Sequence, residues 1–262
     1  MTTPSTAPWL RLIRFAGDDR ISFLQGQLTQ DVALLNSSQP AMIAASCDPK
    51  GRVLAVLTLI HEADAIVVGI RDALADDWLN AILRYKMRAK VDTGEVTDLR
   101  MMRTTREQPS PAGAITHWNF GDCFEALVRT DDSVNGDDTD WREARLVAGV
   151  TDIASHATGS FTPHMLNLDA ANAISFSKGC YTGQEVVART QHLGAVKRRV
   201  RLLRSATRVD DDQPLDIVGD GKKIGRVVAA AGNVIAAVIS TNDLNVAMTL
   251  DDGTVLTGLA TD

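Results

Sequence analysis

The sequence predicts an α+β protein that ends in a small β-barrel. Up to about residue 195, segments with the alternation of strands are interspersed with segments whose apolar residues recur at helical spacing. After that point only short apolar segments separated by turn residues remain, which is typical of an all-β unit. The 262 residues, 45% of them hydrophobic, suffice for two or three compact units with a sizeable core.

The first 110 residues are predicted to be mostly strands around one clear helix. That helix covers 72–85, because Leu74, Trp78 and Ile82 recur at helical spacing. A short helix is expected after Asp18, and a further helical turn within 28–35. The predicted strands are 9–16, 41–47, 52–60, 65–70, 86–91 and 96–103, with a turn at 48–51 between the second and third.

The second half begins after a Pro- and Gly-containing loop at 108–113. Strands are predicted at 114–118 and 123–129, a solvated acidic loop at 131–140, a helix at 141–147, and irregular chain over 151–175. The predicted barrel strands are 200–203, 214–218, 223–229, 234–240, 246–250 and 254–258. Gly-containing hairpin turns at 219–221 and 251–253 separate neighbouring strands.

Composition narrows the classes of function. The net charge of −6 argues against a whole-protein footprint for nucleic acid and leaves room for a local basic patch. The first residues do not resemble a secretory signal, and no apolar run is long enough to span a membrane, so a cytoplasmic protein without membrane contact is expected. The three cysteines form no Cys-x-x-Cys pair, so no stably bound metal is predicted, and the thiols should stay reduced.

The segment around Cys180 carries the strongest chemical signal. Thr182 and Glu185 fit a capping box that would start a helix at Gly183. Cys180 would then lie beside the positive end of that helix and two residues from Lys178, and both features favour a thiolate. A buried structural cysteine beside a helix cap is the alternative that spacing alone leaves open.

Two other patterns point to weaker sites. The basic run of Lys197, Arg198, Arg199 and Arg201 suits either an anion site or a charged strand edge, and the acidic net charge argues against tRNA binding through it. The loop at 131–142 resembles a calcium-binding loop but has Arg142 where the bidentate Glu would be, so no calcium site is expected.

Taken together, four segments resemble the YgfZ family, which includes mitochondrial assembly factors for [4Fe–4S] proteins. The most specific is ISFSKGCYTGQEVVAR at 174–189, followed by Gly194 and Lys197-Arg198. The others are FLQGQLTQDV at 23–32, CDPKGR at 47–52 and PHMLNL at 163–168. The resemblance covers essentially the whole chain.

The resemblance implies a three-domain fold like the glycine-cleavage T-protein, arranged around a central hole that binds folate. The split first domain would comprise 1–40 and 110–195, the inserted second domain 41–109, and the barrel 196–262. The implied role is that of a monomeric, folate-linked accessory protein for assembling or repairing iron–sulfur enzymes, including those that thiolate tRNA. Its partners would be folate, client enzymes and assembly proteins, with no direct nucleic-acid binding.

The resemblance also implies site residues. Cys180 would be the functional thiol. The residues that would contact tetrahydrofolate or another folate are Lys178, Gly179, Tyr181, Gly183, Gln184, Glu185, Arg189, Arg145, Lys197 and Arg198, with Arg145 and the basic run holding the glutamate tail.

Two departures from the T-protein pattern weigh on the activity. The stretch 51–56 after the hairpin turn has no carboxylate, so a proton shuttle from that position is lost. Related proteins often carry Glu in an Arg-x-Glu-Ala-Gly segment, where this chain has Val147, which accepts no hydrogen bond from a pterin. An accessory role is therefore favoured over the alternative, a tetrahydrofolate-dependent aminomethyl or one-carbon transferase.

Overall fold

The computed structural model describes residues 9–129, 138–244 and 246–259. Its helices are α1 (Arg20–Gln25), α2 (Asp72–Leu83), α3 (Thr139–Val147) and α4 (Gln184–Leu193), with 3-10 turns at Val32–Leu34 and Ser155–Ala157. Its strands are β1 (Leu10–Ala16), β2 (Ala41–Cys47), β3 (Val53–Glu62), β4 (Ala65–Arg71), β5 (Asp92–Glu95), β6 (Leu99–Thr104), β7 (Ala114–Phe120), β8 (Cys123–Arg129), β9 (Arg198–Ser205), β10 (Asp216–Gly219), β11 (Lys222–Ala231), β12 (Val234–Ser240), β13 (Met248–Leu250) and β14 (Val255–Gly258).

An antiparallel sheet with the order β2-β3-β4-β1-β5 forms the largest layer. Its inner strands are almost continuously apolar and buried, as expected for strands covered on both faces. Helix α2 packs its apolar stripe on this sheet, and the ring of its Trp78 lies 6.0 Å from that of Phe15. The predicted helix at 72–85 is confirmed, two residues shorter at its end.

The second sheet has three strands in the order β6-β8-β7. Its buried residues, among them Met101, Trp118 and Leu127, pack with Trp141 of α3. The strand pair predicted at 114–118 and 123–129 is confirmed. Helix α3 begins two residues before the predicted start, while most of the predicted loop at 131–140 lies outside the described residues.

The C-terminal strands close into a six-stranded barrel in the order β10-β11-β12-β9-β14-β13, which confirms the predicted barrel. Residues of the barrel belong to two separate hydrophobic cores. Residues such as Ile217, Val227 and Ile239 fill its interior, whereas Val228 and Val238 belong to the large core shared with the first sheet. The barrel is thus packed firmly against the rest of the chain.

One predicted strand is absent from the structure, and the predicted domain division stays untested. The strand predicted at 86–91 is wrong: these residues form turns after α2, and the edge strand is β5 instead. The domain division stays a prediction, and strand pairing crosses it twice, because β1 lies inside the sheet of the predicted second domain and β6 pairs with β8.

None of the helices described is long and apolar enough to cross a membrane.

Candidate functional site

The three cysteines lie in different environments. The Cys180 side chain is exposed, whereas Cys47 and Cys123 are buried, and all three thiols are free. Burial, with a smaller contribution from the negative charge of Asp48, raises the pKa of the Cys47 thiol to about 12. Burial and the neighbouring Glu125 likewise raise the pKa of Cys123. Cys180 is therefore the thiol that a reagent or partner can reach.

The start of α4 differs from the predicted capping box. The N-cap is Gly183, one residue after Thr182, and no side chain caps the helix. Gly183 has a φ of +83°, and a Cβ there would lie 2.5 Å from the carbonyl oxygen of Asp48. The close approach of the β2–β3 turn thus dictates the helix start, and only glycine combines that backbone with that contact.

Lys178 is buried and joins the Cys180 segment to the chain after α1. Its Nζ donates hydrogen bonds to the carbonyl oxygens of Gln25 at 2.7 Å, Leu28 at 2.7 Å and Gln30 at 2.8 Å. It also lies 5.1 Å from the centre of the Tyr181 ring. An ammonium has three donors, so all of its hydrogen bonds are made within the protein.

Further hydrogen bonds run beside the lysine. The N–H of Thr182 donates to the carbonyl of Gly26 at 3.2 Å, and the N–H of Ser175 donates to that of Thr29 at 2.9 Å. The hydroxyl of Thr29 donates to the carbonyl of Ala173 at 2.7 Å. The two motifs at 23–32 and 174–189, although about 150 residues apart, therefore form one hydrogen-bonded unit that presents Cys180.

The β2–β3 turn completes this unit. One carboxylate oxygen of Asp48 accepts from the N–H groups of Lys50 and Arg52 at 2.9 and 2.8 Å, which holds the turn closed. The side chain of Val186 lies against Gly51. A guanidinium nitrogen of Arg52 donates to the carbonyl of Ser160 at 3.0 Å, so the turn is also tied to the chain that follows the 3-10 turn at Ser155–Ala157.

The remaining predicted residues of this segment differ in their exposure. Gly179, Glu185 and Arg189 are exposed, Gln184 is partly buried, and Tyr181 is buried. Burial raises the pKa of Tyr181, so its hydroxyl stays protonated.

Arg145 requires a correction. Its guanidinium is 1% exposed and donates to Asp152 at 2.9 Å, Glu125 at 2.6 Å and the hydroxyl of Thr58 at 2.9 Å. These bonds hold α3 onto both sheets. The predicted contact of Arg145 with a folate tail is therefore not supported, because the guanidinium is buried and already fully engaged.

The basic run separates into distinct roles. Arg199 pairs with Asp169 at 2.9 Å, while Lys197, Arg198 and Arg201 are exposed. Arg198 lines a cleft of about 360 Å³ together with Lys223 and Arg226, and Phe161 forms part of its wall. Lys223 and Arg226 could not be predicted from the sequence, because only the pairing of β11 through β12 to β9 brings them near Arg198.

A second cavity of about 580 Å³ lies between the end of α3 and the barrel. It is lined mainly by apolar residues, including Leu166 and Met248, and Arg201 contributes a cation. Val147, the position singled out for the missing Glu, is half exposed there. Because polar atoms of the backbone and side chains also reach its wall, the cavity suits a ligand with both apolar and polar parts.

Known proteins resemble this chain in sequence and in structure over most of its length. The chain is 32% identical to the tRNA-modifying protein YgfZ of Hamiltonella defensa over 84% of its length and 76% of that protein. It is 30% identical to the tRNA-modifying protein YgfZ of Escherichia fergusonii over 89% of its length and 83% of that protein. No family model matches the chain.

Among solved structures, the chain resembles the glycine cleavage system aminomethyltransferase T of Bartonella henselae. The TM-score is 0.69 at 16% sequence identity, covering 97% of this chain and 83% of that one. At this identity the likeness establishes the fold, and the T-protein-like fold expected from the sequence is confirmed.

Proposed function

The chain belongs to the YgfZ family, and from this premise we propose that it is an accessory protein for the assembly or repair of iron–sulfur enzymes, including those that thiolate tRNA. Its acting group would be the thiol of Cys180. The observation that carries the proposal is the contrast among the cysteines, since Cys180 is exposed on a rigidly anchored segment while the other two are buried. Such a protein would work in the cytoplasm as a monomer.

An accessory role agrees with what surrounds the thiol. Thiolates bind soft metal ions and the iron of iron–sulfur clusters, but a cluster needs several ligands. In the part of the chain that the structure describes, the one group of three potential metal ligands is Asp210, Asp211 and Asp212, which contains no cysteine. A cluster at Cys180 would therefore need ligands from a client or assembly protein.

The cleft lined by Arg198, Lys223 and Arg226, called here the cationic cleft, suits the glutamate tail of a folate. Arg198, Lys223 and Arg226 offer charged donors to the carboxylates of a glutamate tail. Asp216 pairs with Lys223 at 2.6 Å and with Arg226 at 3.4 Å, so the two cations are partly neutralised, whereas Arg198 makes no ion pair with another described residue. When bound, a folate would supply one-carbon chemistry, and these residues would hold its tail.

The alternative of an aminomethyl or one-carbon transferase is favoured only by the fold. The stretch 51–56 supplies no carboxylate beside the turn, and one oxygen of the Asp48 carboxylate is engaged by the turn's own N–H groups. Release of ammonia and formation of methylenetetrahydrofolate from an aminomethyl donor would establish this activity in place of the accessory role.

The test of the thiol is complementation of cells that lack the protein. Cys180→Ser should lower the activity of iron–sulfur clients and the level of thiolated tRNA to that of the empty vector. Ser177→Ala, a matched change at an exposed neighbour, should behave as wild type. Full client activity in the Cys180→Ser strain would remove the proposal.

The test of the folate is calorimetric titration with tetrahydrofolate and folic acid. Arg198→Ala should weaken binding at least fivefold, and Lys222→Ala, an exposed cation of the same barrel, should leave it unchanged. Val147→Glu should strengthen it if the pterin lies at the end of α3. If neither the wild type nor any of the three variants gave a heat of binding, folate would be removed from the proposal and only the role of the Cys180 thiol would remain.

A further inference from the structure

The segment between α2 and β5 combines dense positive charge with exposed apolar side chains. It reads Arg84-Tyr85-Lys86-Met87-Arg88-Ala89-Lys90, four cations in seven residues of a chain whose net charge is −6. Tyr85 is 51% exposed and Met87 90% exposed. Neither the Cys180 unit nor the cationic cleft uses this segment.

The charges of this segment are largely unneutralised. Within the described chain, no ion pair joins Arg84, Lys86 or Arg88 to a carboxylate, and Lys90 makes only a 3.4 Å contact with Asp18 between two exposed side chains. Other arginines of the surface, such as Arg199, are paired with an acid at short range. Interaction with the α2 dipole accounts for a cation at Arg84 but not for exposed apolar residues beside it.

The backbone of the segment is held in place at both ends. The N–H of Lys86 donates to the carbonyl of Leu83 at 3.0 Å, and that of Ala89 donates to Lys86 at 2.7 Å. The N–H of Lys90 donates to a carboxylate oxygen of Asp19 at 2.8 Å. Met87 has a φ of +39°, a left-handed conformation that is uncommon for a residue with a side chain. The side chains are thus displayed on a fixed backbone, which reduces the entropy lost on binding.

We propose that residues 84–90 bind single-stranded or loop RNA, with the cations on its phosphates and Tyr85 stacked on a base. Cations interspersed with an exposed aromatic ring are the features by which proteins bind unpaired nucleic acid. An acidic protein would use the cations equally well, but an unpaired nucleic acid presents phosphates and flat bases in regular alternation, which matches cations interspersed with an exposed ring. The inference rests on the proposed accessory role for enzymes that thiolate tRNA. It departs from the expectation of no direct nucleic-acid binding, because a net charge of −6 leaves room for a local basic patch.

The test is fluorescence anisotropy with a labelled single-stranded RNA and an unmodified tRNA, on the full chain over a range of salt concentrations. The double variant Arg84→Ala/Arg88→Ala should bind about tenfold more weakly at low salt. Its salt slope should fall by roughly 1.4, because each single-strand phosphate contact contributes about 0.7. Tyr85→Leu should bind about fivefold more weakly, while Tyr85→Phe should bind as wild type, since stacking needs only the ring.

The matched control is Arg106→Ala/Lys222→Ala, which removes two exposed cations elsewhere and changes the net charge equally. An equal loss of RNA binding in the control would show a general charge effect and overturn the proposal. Tighter binding of a polyglutamate peptide than of RNA would overturn it in favour of an acidic protein. Cys180→Ser should bind RNA as wild type, so a failure here is distinguishable from a failure of the thiol role.

Discussion

Two buried cations hold this protein together in different ways. Arg145 ties α3 to both sheets through the carboxylates of Glu125 and Asp152, and its charge is neutralised where it lies. Lys178 ties the Cys180 segment to the chain after α1 through three backbone carbonyls, with no carboxylate of the described residues in contact. The first arrangement pairs full charges, and the second solvates one charge with dipoles.

The difference appears in how each group holds its proton. Burial lowers the pKa of Arg145, but the charges of Asp152 and Glu125 outweigh it, so the pKa is raised and the charge is permanent. Burial also lowers the pKa of Lys178, and only the charge of Asp31 opposes it, so its pKa is about 8. The scaffold thus rests on a fixed ion pair, whereas the segment that presents the thiol rests on a single ammonium that can lose its proton.

Replacing Arg145 should lower the stability of the fold more than any other change considered. Arg145→Met leaves the fully buried Glu125 uncompensated and should lower the free energy of unfolding by about 3–5 kcal/mol. Urea denaturation of the variant and the wild type measures this change. Arg106→Met, which breaks an exposed pair with Asp122, should change it by less than about 0.5 kcal/mol. Equal losses in both variants would contradict the assigned role of Arg145.

On the other side, Lys178→Met should have a smaller and more local effect. Three carbonyls lose their donor, and we expect a loss of about 1–3 kcal/mol, because water can replace part of the lysine's contacts. Amide hydrogen exchange should quicken at 25–30 and 174–182 and stay slow in the barrel. Lys50→Met, at an exposed turn position, is the control. Unchanged exchange at 25–30 would mean that the lysine does not hold this unit.

Lys178, unlike Arg145, should also make the free energy of unfolding depend on pH. Because the folded pKa of Lys178 lies near 8, below its ordinary value, the unfolded chain binds more protons between about pH 8 and 10.4, and stability rises with pH there. This contribution is at most about 1.4 kcal/mol per pH unit. Between pH 8 and pH 10, the free energy of unfolding measured by denaturation should rise more in the wild type than in Lys178→Met. No difference would indicate that the three carbonyls keep the ammonium charged at its ordinary pKa.

The smallest effect on stability is expected at the thiol itself. Cys180→Ser should change the free energy of unfolding by less than about 0.5 kcal/mol, because the side chain is exposed. With a disulfide reagent at pH 8, the native wild type should react rapidly at one thiol per chain and Cys180→Ser at none. Rapid reaction of a second thiol in the native protein would show that Cys47 or Cys123 is less protected than its burial implies.

Much of the fold could be predicted because its signals are local. The apolar spacing of 72–85 and the regular short strands after residue 196 each lie within one stretch of chain, and both predictions are confirmed. The strand predicted at 86–91 was wrong because alternating cations and apolar residues have the period of a strand without a neighbour to pair with. The capping box failed because Gly183 meets the β2–β3 turn, about 130 residues away.

By itself, the sequence determined the family, the barrel and the cysteine of interest, since these depend on motif identity and on local periodicity. Only the tertiary structure decided which cations are free. Arg145 was expected to reach a ligand, yet Glu125 and Thr58, 20 and 87 positions away, enclose it. Lys178 was expected beside a folate, yet its ammonium is turned into the chain after α1. Whether a charge faces solvent or the core depends on which distant segments pack on it, and no local pattern records that.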